Sequence, residues 1–211
     1  MGLQPLRIRS LCLEVKTIAV IGAGITGRGI ARAAALAGYA TVLEEVSDTI
    51  VASAMSWIHD ALNDDVQLGN LDAAARDAAL ARITTSQVVD EAIRNADLII
   101  EVVPDELEMK LELFTIFDKF AKPNAIFASA AAALSIGDFS DIVVFRERCV
   151  GMRFFDMGAK KDQVDIIRAP ETSEETVATC VAVVRRMNKA AVIVDERQFN
   201  NRQQITGSWN P

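Results

Sequence analysis

Residues 16–29 read KTIAVIGAGITGRG. The run Thr17–Ile21 is apolar and rich in β-branched residues, the pattern of a buried parallel strand. It leads into Gly22-Ala23-Gly24-Ile25-Thr26-Gly27, a G-x-G-x-x-G turn, and then into an alanine-rich helix over 28–37 that Gly38 stops. Each glycine has its own physical task. Gly22 permits the tight turn, Gly24 lets the backbone approach a pyrophosphate, and Gly27 lets the helix pack against the strand. The helix start then offers unpaired N–H groups and a positive dipole end to phosphate. A glycine turn that serves packing alone is the competing reading.

Outward from this motif, strand and helix alternate. Strands are expected at 41–45, 83–85, 97–103 and 125–129, and helices at 47–68, 72–82, 86–94 and 104–120. Ser47 and Asp72 are N-cap residues, Gly69-Asn70 breaks a helical hairpin, and Pro104 occupies a first-turn position. After residue 130 the rhythm changes to strands at 149–154 and 164–168, a helix at 173–187 and a last strand at 190–195. This pattern predicts an α/β fold, a Rossmann-type doubly wound, mostly parallel sheet with an inserted helical hairpin. Phe114, Phe117 and Phe120 are spaced as a core stripe.

Glu45 follows the first glycine by 23 residues, at the end of the second strand. A carboxylate there accepts hydrogen bonds from the adenosine ribose and repels a 2′-phosphate. No arginine occurs between residues 46 and 75. The spacing therefore predicts NAD rather than NADP, with FAD as a further alternative.

Composition narrows the rest. A net charge of −7 over 211 residues, with no basic run, argues against a nucleic-acid partner. No apolar stretch has the length of a membrane span. His59 is the sole histidine, which excludes a multi-histidine metal site, so no metal is expected. Cys12, Cys149 and Cys180 are scattered and odd in number, which fits buried thiols in a reducing, cytoplasmic compartment. Residues 1–15 carry Arg7 and Arg9 but no apolar signal core, and read as a tail or linker rather than a transit peptide.

The stretch KTIAVIGAGITGRGIARAAALAGYATVLEE closely resembles the start of the L-3-hydroxyacyl-CoA dehydrogenase family. ADLIIEVVPDELEMKLELF at 96–114, VGMRFFD at 150–156 and QVDIIRAPETSEETVATCVAVVRRMNKAAVIVDER at 163–197 are similar to further family segments. The resemblance covers roughly residues 16–202. It implies an oxidoreductase of fatty acid metabolism that passes hydride from a 3-hydroxyacyl-CoA to NAD. In the family a histidine takes the hydroxyl proton, a glutamate orients that histidine, and a serine and an asparagine hold the substrate oxygen.

Carried over residue by residue, these roles fall on altered positions. Arg153 stands at the histidine of the family's GxHFFNP, with Asp156 and Met157 at its asparagine and proline. A guanidinium stays protonated and cannot serve as a general base near neutrality. Asp165, twelve residues after Arg153, takes the place of the orienting glutamate. The family's SNTSS falls on Ser129-Ala130-Ala131-Ala132-Ala133, so the substrate-binding serine becomes Ala132. Asn201 matches a later family asparagine across a one-residue gap. On the cofactor side, Asp105 and Lys110 fall at the family's nicotinamide end; a solvated helix lysine is the plainer reading of Lys110. No lysine occurs between residues 17 and 109 to meet CoA phosphates, and Arg76 and Arg82 read as surface charges.

The resemblance also implies a small-molecule, acyl-CoA substrate and a homodimer or a larger parent protein. A second, all-helical domain follows in the family, and 198–211 reads as a remnant of its start. Two functional classes emerge. One is a hydroxyacyl-CoA-type dehydrogenase with an altered substrate. The other is a non-catalytic NAD-binding module, either a degraded paralogue or an engineered inactive domain. Arg153 and Asp165 read as a structural ion pair in the vacated site, or Arg153 as an anchor for a substrate carboxylate. Ser129 reads as a polar strand-end residue.

Overall fold

The computed structural model describes residues 12–130, 134–155 and 162–197. Eight strands form a single sheet. They are β1 (Thr17–Ile21), β2 (Ala40–Glu44), β3 (Ile83–Ser86), β4 (Leu98–Glu101), β5 (Ile126–Ser129), β6 (Cys149–Phe154), β7 (Gln163–Arg168) and β8 (Ala190–Asp195), in the spatial order β3-β2-β1-β4-β5-β6-β7-β8. Every neighbouring pair is parallel except β6 with β7. The helices are α1 (Ile25–Leu36), α2 (Asp48–Gln67), α3 (Ala73–Leu80), α4 (Val89–Ile93), α5 (Leu107–Phe120), α6 (Ile136–Ser140) and α7 (Glu174–Arg186). The doubly wound, mostly parallel sheet with an inserted α2–α3 hairpin is the expected fold.

Alternation along the strands builds two cores. Ile18, Val20, Leu98 and Ile100 face α1, α2, α3 and α7, whereas Ala19, Ile21 and Ile99 face α4, α5 and α6. Parallel strands covered on both faces need continuous apolar runs, and Thr17–Ile21 and Leu98–Glu101 supply them. In the second core the rings of Phe114 and Phe139 lie 4.6 Å apart, and those of Phe117 and Phe127 5.7 Å apart. Phe120 does not join them. It is 37% exposed, with the Lys119 ammonium over its ring, so the stripe ends one turn earlier than its spacing suggests.

Some boundaries shift for local reasons. Gly24 is the N-cap of α1, so the helix starts at Ile25 instead of 28. Ser86 belongs to β3, and its hydroxyl accepts from Val88 N–H, which delays α4 to Val89. Pro104 is not in a first helical turn; α5 starts at Leu107 behind Glu106. The Glu101 carboxylate accepts from Val103 N–H at 2.7 Å and draws the intervening loop inward. The Ser47 and Asp72 side chains cap α2 and α3 as expected.

Candidate functional site

The carboxyl ends of β1, β2, β4 and β5 meet where the strand order reverses between β1 and β4, the usual ligand crevice of such sheets. Gly22 adopts φ +103°, a left-handed conformation that favours glycine. A Cβ on Gly27 would lie 1.9 Å from the Gly22 carbonyl oxygen, so only glycine lets α1 sit on the turn. A Cβ on Gly24 would meet nothing within 4 Å, which leaves room there for a ligand to approach the backbone. Glu45 lies just beyond β2. Its carboxylate accepts from Ala23 N–H and Ser47 N–H, each at 3.3 Å, and is thereby fixed beside the glycine turn. These features fit a dinucleotide: a ribose-facing acid, an open backbone and an uncapped helix start.

Its neighbour Glu44 is buried, and burial, followed by the adjacent Glu45 charge, raises its carboxyl pKa to about 7. The Glu44 Oε1 atom has no hydrogen-bond partner among the described residues.

Lys110 is not a solvated lysine. Its side chain is fully buried, with Nζ 2.8 Å from both oxygens of Glu101 and 3.3 Å from Asp105 Oδ1. The Ser129 hydroxyl donates to Glu101 Oε2 at 2.7 Å. Ser129 thus stands at the strand end as expected, but as part of a buried polar cluster. The sequence reading missed Glu101, the organiser of that cluster; the signal was an acid closing the apolar run LIIE.

Arg153 and Asp165 face each other across β6 and β7. They form no ion pair with each other. Asp165 accepts instead from Gln163 Nε2 at 2.5 Å, two residues along the same strand and therefore on the same face. The Arg153 guanidinium lies 5.3 Å from the Phe155 ring centroid. Ala132, Asp156, Met157 and Asn201 lie outside the described residues. His59 is exposed. Arg76 hydrogen-bonds Asn63 and pairs with Asp77 on the hairpin surface. Burial pushes the Cys149 and Cys180 thiols up to about 12, so they stay protonated and inert. Among the described residues, no three His, Cys, Asp or Glu side chains are grouped to hold a metal, and no helix is long and apolar enough to cross a membrane.

Fold and crevice together define a dinucleotide-binding domain of the oxidoreductase type. The chain belongs to the family described as 3-hydroxyacyl-CoA dehydrogenase, NAD binding domain, whose model matches residues 17–197, and its cofactor is NAD. It is 31% identical over 184 residues to the probable 3-hydroxybutyryl-CoA dehydrogenase of Bacillus subtilis (strain 168), covering 87% of this chain and 64% of that protein. It is likewise 31% identical over 183 residues to the mitochondrial hydroxyacyl-coenzyme A dehydrogenase of Homo sapiens, covering 84% of this chain and 58% of that protein. The crystal structure of 3-hydroxybutyryl-CoA dehydrogenase from Escherichia coli K12 superposes with a TM-score of 0.83 at 29% identity, over 87% of this chain and 39% of that one. The chain thus spans less than two thirds of the length of these relatives.

Proposed function

We propose that this chain holds NAD(H) and has lost the proton-transfer chemistry of its family. Gly22, Gly24 and Gly27 would cradle the pyrophosphate, Glu45 the adenosine ribose, and Asp105 the nicotinamide end, with the fully buried Lys110 positioning Asp105 from 3.3 Å. Bound NAD would supply a hydride acceptor; the position of the family's base is taken here by Arg153. The observation that carries this reading is Arg153 at the family's histidine position, opposite Asp165 on the sheet. A permanent cation there takes up no proton.

In this reading residues 16–197 are the NAD-binding Rossmann unit, 1–15 a tail or linker, and 198–211 the start of a helical domain. The protein is cytoplasmic, and a homodimer or a larger parent would complete the cleft for a small-molecule, acyl-CoA-type substrate. Neither nucleic acid nor membrane is a partner. The test is a parallel titration of NADH and NADPH into the full chain. NADH should bind at least about tenfold more tightly, because Glu45 repels the 2′-phosphate. Equal affinities would refute the cofactor assignment.

A further inference from the structure

A second cleft runs along α1, beginning at Ile25 of the glycine turn. It has a volume of about 470 Å³ and is bordered by Arg28 and Arg32 of α1, Trp57 of α2, Phe154 and Phe155 at the end of β6, and Lys189. That volume suits a small organic molecule. The charges are not evenly matched. Arg32 pairs with Asp65, and Lys189 lies 4.0 Å from Asp162. Arg28 has no acidic partner among the described residues, and its Nε is buried without a hydrogen bond. Its guanidinium lies 4.6 Å from the centroid of the Trp57 ring, which fixes the plane of the fork. Trp57 itself is 37% exposed, a large aromatic surface left beside that cation.

A guanidinium without an acidic partner among the described residues, held on an indole in a cleft that Phe154 and Phe155 also line, has the chemistry to recognise a flat anion. The surrounding hairpin selects against a polyanion. Asp60, Asp64 and Asp72 stand on or beside α2 and α3 with no ion pair among the described residues, and no lysine occurs between residues 17 and 109. Like charges there would repel the several phosphates of coenzyme A. We propose that this cleft binds a small free aromatic carboxylate, with Arg28 taking the carboxylate and Trp57 and Phe155 flanking the ring.

The experiment uses Trp57 as the reporter in the full chain carrying Trp209→Phe. The probes are 3-hydroxy-3-phenylpropanoate, its methyl ester and coenzyme A, each titrated without cofactor. The acid should saturate the fluorescence change. The ester and coenzyme A should bind at least about tenfold more weakly, and Arg28→Gln should weaken the acid by about tenfold or more, the scale of one charged hydrogen bond. Circular dichroism melting checks that the variant folds, and Phe155→Leu offers a second variant that keeps every charge and should weaken the acid alone. The proposal is overturned by an acid that fails to saturate, by coenzyme A binding as tightly as the acid, or by Arg28→Gln leaving the acid's affinity unchanged. An equal loss of acid and NADH affinity in Arg28→Gln would also overturn it, since the arginine would then serve the dinucleotide. Because the titrations are done without cofactor, failure to bind NADH would refute the NAD reading and leave this outcome separately readable.

Discussion

Replacing Lys110 with methionine keeps the volume of the side chain and removes its charge. In the native protein Nζ sits 2.8 Å from both Glu101 oxygens, and neither side chain is exposed. The variant leaves the Glu101 carboxylate buried without its cation. Breaking a buried pair from one side costs about 3–5 kcal/mol. Glu101 keeps hydrogen bonds from Val103 N–H and the Ser129 hydroxyl, which places the expected loss near the lower bound, about 3 kcal/mol. That is a large fraction of the ~5–15 kcal/mol that holds a typical domain folded, and it should lower the melting temperature by roughly 6–12 °C. Urea unfolding at neutral pH, followed by circular dichroism, gives the number. Adding Glu101→Gln should recover at least half of the loss, because a neutral amide is far cheaper to bury. A Lys110→Met loss under about 1 kcal/mol, or a double variant less stable than the single one, would refute the buried-cluster argument.

Three further outcomes follow from the same geometry. Glu44 holds its proton up to about pH 7 in the folded chain, whereas the ordinary carboxyl loses it near 4.5. Its contribution is therefore complete below pH 4.5 and is lost as pH rises through 7, a fall of about 3 kcal/mol. Glu44→Gln should flatten that slope in urea titrations at pH 5 and pH 8, and a slope that survives the substitution would assign it to another group. Gly27→Ala forces a Cβ to 1.9 Å from the Gly22 carbonyl oxygen; α1 must lift, and NADH affinity should fall at least about tenfold if the helix start holds the pyrophosphate. Unchanged affinity would show that the turn serves packing alone. Arg153→His combined with Ala132→Ser introduces the two groups that the resemblance assigns to these positions and should raise acetoacetyl-CoA-dependent NADH oxidation above that of the parent chain; no gain despite retained NADH binding would refute the assignment of the lost chemistry to these two positions.

The fold was legible because its signals are local. A β-branched run ending in G-x-G-x-x-G names a strand, a turn and a helix within fourteen residues, 16–29. Ser47 and Asp72 announced α2 and α3 through hydrogen bonds made within their own first turns. What the sequence obscured depends on contacts between distant residues. Glu101 gains its meaning only when Lys110 turns inward from α5 and Ser129 arrives on the neighbouring strand. Arg153 and Asp165, expected as an ion pair, do stand opposite each other on β6 and β7, yet Gln163 claimed the carboxylate from two residues away. Arg28 and Trp57 are brought together only by the packing of α1 on α2, which no spacing rule encodes.

A cofactor site kept without the family's chemistry is tested most directly by a fluorescence titration of NADH into the full chain, followed by addition of acetoacetyl-CoA. Saturable binding with no loss of NADH is the predicted result. Steady consumption of NADH would contradict it, because Arg153 could then not be the end of proton transfer at that position, and an absence of binding would remove the cofactor site itself.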